Sequence, residues 1–247
     1  MRSRPTLLAA AGLLLWAGCA HLRGGGASDQ DVELSPDLYL RRLAPNVWVH
    51  TTHSAPADGS VPANGLLVLR ERDSVLVDTG WTPAQARQLV AWARDVARRP
   101  VRTAIVTHAH PDRIGGMSAL AELGIPVLAL DLTAERAKGQ GAAPTETFRG
   151  AANVDGLEVF FPGPGHTPDN VVVWIPKARV LFAGCLVKAA SATDLGNLAD
   201  SDPGAWPASL KAAAGRFPNA QVVVPGHGKP GGPELIAHTL ELLGAAK

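Results

Sequence analysis

Four apolar, β-branched runs in this chain each break off at residue types that ligate metals. VRTAIVTHAHPD runs into His108, His110 and Asp112, LEVFFPGPGH into His166, ARVLFAGC into Cys185 and AQVVVPGH into His227. A chain built this way must bring several strand ends together along one edge of its sheets. The first cluster is the densest. Alternate residues of a chain leaving a strand point to one side, so His108, His110 and Asp112 are expected to converge on one cation while Ala109 and Pro111 face away. Arg113 follows, and Gly115 and Gly116 then let the backbone pass close to a site before MSALAEL reads as a helix.

Each residue taken singly has a plain structural reading. His166 and His227 fit turn histidines, and Cys185 fits a small buried hydrophobe. One pattern repeated in four segments favours ligation over four coincidences, and six imidazole, carboxylate and thiol side chains suffice for two zinc sites. His21, His50, His53 and His238 lack that context and are left out of the set. Asp78, in VLVDTG, also ends a strand, where a carboxylate reads as orienting a histidine or the loop.

The order of elements is strands first, then strands alternating with helices. YLRRLAPNVWVHTT reads as two strands turned at Pro45 and Asn46, and GLLVLRERDSVLVDTG as a hairpin turned at Glu71 to Asp73. Between them, HSAPADGSVPANG is polar and rich in Gly and Pro, a connection that either lies over a site as a flap or is inert. Thr82 is placed to cap a helix with Pro83 at its first position and a stripe of Ala86, Leu89, Trp92, Ala93 and Val96. IPVLAL reads as a buried strand, and residues Asp131 to Asp155, a helical turn and a polar Ala/Gly-rich stretch, carry no chemistry. VVVWIPKARVLFAG is a second hairpin, and DPGAWPASLKAAAGRF and GPELIAHTLELLG are helices flanking the AQVVV strand. Grouped strands and helices of this kind suggest two sheets flanked by helices, a four-layer α/β arrangement.

At 247 residues and 46% hydrophobic content, the chain supports one substantial domain or two fused halves around a shared core. Arg2 and Arg4 precede the apolar run Leu7 to Ala17, too short to span a bilayer and shaped as an export signal. Residues 1–20 are therefore assigned to export, 21–36 to a flexible tether and 37–247 to the catalytic domain. Trp16-Ala17-Gly18-Cys19 resembles the lipobox of bacterial lipoproteins, with Trp16 where that pattern prefers Leu. Two outcomes stay open: lipid attachment at Cys19, or cleavage nearby to give a soluble periplasmic protein. Without residues 1–18 the chain carries 21 basic and 22 acidic side chains, a balance that gives no support to nucleic-acid or membrane-surface binding. Cys19 and Cys185 are its two cysteines, so no disulfide framework is expected.

HAHPDRIGG, GPGHTPDN, GCLVK, LGNLADSD and PGHG stand in the order and approximate spacing of the class B metallo-β-lactamases, first subclass, and the resemblance runs from Val47 to the C-terminus. It implies an αββα sandwich, with His108, His110 and His166 on a first zinc and Asp112, Cys185 and His227 on a second. Glyoxalase-type thioesterases, lactonases and the third lactamase subclass resemble H-x-H-x-D-H, and Arg113 stands where their last His would be. The second subclass has Asn where this chain has His108, and flavo-diiron relatives have an acidic residue at the position of His110.

The activity implied is hydrolysis of the β-lactam amide of penicillins, cephalosporins and carbapenems by a zinc-bound hydroxide, with no acyl-enzyme. Asp112, through the second zinc, and Asn197, near the carbonyl oxygen, are the residues placed at the reacting bond. Lys188 is given the substrate carboxylate. Arg113 is expected to favour the Cys185 thiolate electrostatically. A monomer is expected, with no nucleic-acid partner. The alternatives are a lactone or thioester hydrolase of the same fold, and a zinc-binding periplasmic module without catalysis.

Overall fold

The computed structural model describes residues 31–55, 60–141 and 143–245. The export segment, residues 21–30 of the expected tether and residues 56–59 of the loop between the first strands lie outside them. The tether expectation needs correcting at its end: β1 (Val32–Ser35) pairs antiparallel with β2 (Leu38–Ala44). Val32 and Leu34, on one side of that strand, pack against a buried core, which gives this short segment a face to bury.

The remaining strands follow the sequence reading closely. β2 turns at Pro45 and Asn46 into β3 (Val47–His53), which pairs with β4 (Pro62–Leu69) and through it with β5 (Ser74–Val77). β4 opens three residues before the expected strand at Gly65, so Pro62, Ala63 and Asn64 belong to the sheet and not to the loop. α1 (Pro83–Asp95) then crosses to β6 (Val101–Ile105), which lies parallel to β5. Its start is closed by a capping box: Thr82 Oγ1 accepts the Gln85 N–H, and the Gln85 side chain accepts the Thr82 N–H. Such a cap contributes about 1 kcal/mol.

Beyond β6 come the short α2 (Pro111–Ile114) and α3 (Met117–Glu122), then β7 (Val127–Leu130), α4 (Asp131–Arg136) and β8 (Glu146–Phe148). These complete a sheet of eight strands in sequence order, parallel from β5 to β8. The second sheet takes β9 (Ala151–Val154), β10 (Leu157–Phe160), β11 (Val172–Ile175), β12 (Val180–Gly184) and β13 (Val222–Pro225), with β12 and β13 parallel. α5 (Trp206–Arg216) and α6 (Glu234–Ala245) cover its outer face.

Strand periodicity separates three cores. Leu66, Val68, Val75, Val77 and Ile105 of the large sheet meet Val173, Ile175, Val180, Phe182 and Val224 of the small one between the sheets. The alternating residues Leu67, Leu76 and Ala104 pack outward against α1 and α3, while Val172, Leu181 and Val223 pack outward against α5 and α6. Both faces of each central strand are buried, which is why these segments read as unbroken apolar runs. The result is the expected αββα sandwich.

Candidate metal centre

All six expected ligands lie at one edge of the sandwich, past the C-terminal ends of β6, β10, β12 and β13. They form two triads, His108 with His110 and His166, and Asp112 with Cys185 and His227; the ligand atoms of each lie within 4.8 Å of one another. Among the described residues no other group of three or more His, Cys, Asp or Glu is gathered in this way. The expectation that Asp112 converges with His108 and His110 on one cation is corrected. The chain does not stay extended past His110: Pro111 opens the helical turn of α2, which swings the Asp112 carboxylate to the other triad.

The first triad has the dimensions of a tetrahedral zinc site. His110 Nδ1 lies 3.2 Å from His108 Nε2 and 3.3 Å from His166 Nε2, with the three rings at 74 to 87° to one another. Nitrogens at about 2.0–2.1 Å from a tetrahedral zinc stand roughly 3.3 Å apart. The far ring nitrogens of His110 and His108 support this orientation. His110 Nε2 is 3.2 Å from Asp200 Oδ1, and His108 Nδ1 is 3.3 Å from Thr107 Oγ1. Burial, first of all, lowers the pKa of His108, which keeps it in the neutral, ligating form.

The second triad surrounds Arg113, whose side chain is 0% exposed. Its Nη2 lies 2.9 Å from Cys185 Sγ, 2.7 Å from Asp112 Oδ2 and 3.0 Å from the Gly226 carbonyl. Its Nη1 donates to the Asn64 carbonyl at 2.5 Å and lies 3.3 Å from Asp78 Oδ2. Burial opposes ionisation of Cys185, but the charge of Arg113, followed by those of His227 and His166, holds the thiol well below its usual range. His227 Nδ1 lies 2.6 Å from the Pro62 carbonyl and donates to it, turning Nε2 to within 3.4 Å of Asp112. Gly226 is required here, since a Cβ at that position would collide with Cys185 Sγ and the Arg113 guanidinium. Thiolate, imidazole and carboxylate together are a zinc donor set.

Asp78 stands one step further out. It accepts the Thr107 N–H at 2.8 Å and the Thr107 hydroxyl at 3.0 Å, fixing the start of the His108 loop. Burial raises its pKa to about 7, against the opposing pull of Arg113. The histidines left out of the set serve elsewhere: His50 on the Val77 carbonyl, His53 on Ser60 and His238 on the Ala192 carbonyl.

Both triads open onto a cleft of about 630 Å³ that Lys188 and Asn197 also line. Asn197 is exposed, and its side-chain carbonyl accepts the Ala199 N–H at 3.0 Å, leaving the amide NH₂ to act as donor. Three functional residues escaped the sequence reading. Arg136, from the segment assigned no chemistry, pairs with Asp200 and, at 3.3 Å, with Asp169. Asp169 in turn accepts the Ala109 N–H at 2.9 Å, between the two histidines of the first cluster. Asp169 lay inside the quoted GPGHTPDN stretch and Asp200 inside LGNLADSD, and their carboxylates were the available signals.

A helix-flanked pair of sheets with two adjacent triads of metal-ligating side chains at one edge defines a class, the metal-dependent αββα sandwich proteins. The family model for the metallo-beta-lactamase superfamily matches residues 58–227. The chain is 42% identical over 211 residues to the metallo-beta-lactamase type 2 of Bacillus cereus, covering 83% of this chain and 82% of that one. It is 37% identical over 222 residues to the metallo-beta-lactamase type 2 of Bacteroides fragilis, covering 87% and 89%. The crystal structure of a metallo-beta-lactamase from Erythrobacter litoralis superposes with a TM-score of 0.81 at 38% identity, covering 87% of this chain and 100% of that one. The chain belongs to the metallo-β-lactamase superfamily, among the class B enzymes of the first subclass.

Proposed function

We propose that the protein is a zinc-dependent β-lactamase that hydrolyses the cyclic amide of penicillins, cephalosporins and carbapenems and so confers antibiotic resistance. The observation that carries this reading is the pair of triads side by side on the floor of one cleft, beside a cation and an amide donor. His108, His110 and His166 would hold one zinc and Asp112, Cys185 and His227 a second, two per chain. When bound, zinc supplies Lewis acidity, polarising a carbonyl and activating a water at neutral pH.

The chain's own residues do the rest. Lys188 presents its ammonium to the carboxylate beside the ring nitrogen of the substrate, and Asn197 offers its amide N–H to the carbonyl oxygen as charge develops there. Arg113 keeps Cys185 ionised and therefore competent to ligate, and its other contact holds the Asp112 carboxylate in place. Its guanidinium occupies the position from which a further imidazole would reach the second triad, which separates this site from the lactone and thioester hydrolases of the fold. The amino-terminal segment is proposed to direct export to the periplasm, with Cys19 as a point of lipid attachment, and the enzyme to act as a monomer.

The test is turnover of a chromogenic cephalosporin by the purified protein. A chelator is expected to abolish turnover and added zinc to restore it. Turnover that survives exhaustive zinc removal overturns the proposal, as does hydrolysis of lactones or thioesters with none of any β-lactam.

A further inference from the structure

Trp206 opens α5 behind the wall of the cleft and is 0% exposed, the largest side chain buried so completely among the described residues. Its indole N–H donates to the Leu186 carbonyl at 2.7 Å, one residue past Cys185. Its ring meets His166 at 5.9 Å between centroids and 61° between planes. The Lys188 ammonium lies over it, 5.4 Å from the ring centroid. One fixed ring therefore touches the first triad, the backbone beside the second and the cation of the cleft.

The choice of an aromatic partner for that cation has a chemical consequence. Lys188 is largely withdrawn from solvent, and burial lowers its pKa while the charges of Cys185 and Asp194 act against that shift. Among the described residues Lys188 Nζ has no hydrogen-bond or ion-pair partner. A carboxylate partner would neutralise the ammonium and occupy its N–H groups. A π face attracts the charge and occupies none of them.

We propose that Trp206 is a positioning residue for substrate binding: its indole face holds the Lys188 ammonium at the cleft wall with its hydrogen-bond donors free for the carboxylate of the β-lactam. The proposal rests on the reading of Lys188 as the carboxylate-binding residue. The indole N–H bond to Leu186 fixes the plane of the ring, and Lys188 is anchored at its other end by its own backbone N–H, which donates to Thr239 Oγ1 at 2.9 Å.

The experiment measures KM and kcat on zinc-loaded protein for one chromogenic cephalosporin as its free acid and as its methyl ester. W206L is expected to raise KM for the acid about tenfold, between the worth of an exposed and of a fully desolvated cation–π contact. It should leave kcat within about twofold and KM for the ester unchanged. W206F, which keeps a ring face, should stay within about threefold of wild type. In a K188M background W206L should add nothing. W206M fills the volume without a π face and serves the same comparison if leucine leaves a cavity that unfolds the chain. An equal rise for acid and ester, a fall in kcat with KM unmoved, a phenylalanine variant as impaired as leucine, or a full effect in K188M each overturns the role of Trp206. If wild-type protein shows the same KM for acid and ester, the assignment of Lys188 itself fails, and the proposal with it.

Discussion

Arg113 Nη2 stands 2.9 Å from Cys185 Sγ in the dry interior of the ligand edge, so the thiol of the second triad is paired with a permanent cation. The same guanidinium faces Asp112 and Asp78, three acidic groups around one base. Replacing it with methionine leaves those groups buried without a counter-charge. R113M should destabilise the metal-free protein by about 3–5 kcal/mol in urea unfolding. Alkylation of Cys185 in that protein should also move to higher pH. Lysine keeps the charge but cannot fork between Asn64, Gly226 and the sulfur, and should fall between the two.

The separation of the triads predicts separable metal losses. Cys185→Ser removes the thiolate of one set and leaves the three imidazoles untouched, so titration with zinc and a competing chelator should show one strong site retained and the other weakened. His166→Ala should give the converse. Equal weakening of both sites by Cys185→Ser would show that the six ligands act as one cluster.

Asp200 holds His110 by its far nitrogen, and Arg136 holds Asp200. Carboxylates in that position fix the tautomer and raise the basicity of a ligating imidazole. Asp200→Ala is expected to lower zinc affinity at the three-histidine site by about 10–100-fold, with little effect on the other site. Arg136→Leu should follow in the same direction by a smaller factor, read in the same competition titration.

His50 is buried, bonded to the Val77 carbonyl, and burial lowers its pKa from 6.5 to about 4. The unfolded chain therefore takes up this proton first as pH falls. Its contribution to stability is whole above pH 6.5 and is lost on descending to pH 4. Urea unfolding of wild type across that range should lose about 3 kcal/mol more than H50Q, which does not titrate.

How far the sequence carried the argument differs by element. Strand-end placement of His166, Cys185 and His227 was legible because each follows an apolar run long enough to be a strand, and the three cores follow from alternation within those runs. The division of labour inside HAHPD was legible through the family resemblance, which put Asp112 with Cys185 and His227, and not through strand geometry. Extended geometry put Asp112 with its neighbours, and the helical turn that Pro111 starts sends it elsewhere. β8 and β9 were missed because they are only three and four residues long and turn one or two apolar side chains inward, Phe148 from β8 and Ala152 and Val154 from β9, too few to show a period. Arg136 and Trp206 could not be assigned from sequence, since both act through side chains distant in the chain, Arg136 on Asp200 and Trp206 on His166 and Lys188.

Each triad draws on both halves of the sandwich. His108 and His110 leave the large sheet and meet His166 from the small one, while Asp112 meets Cys185 and His227. An ion in either triad therefore straddles the seam between the halves and latches it. Stripping the ions should unlatch that seam without unfolding either sheet, and amide exchange should quicken first along the two facing rims.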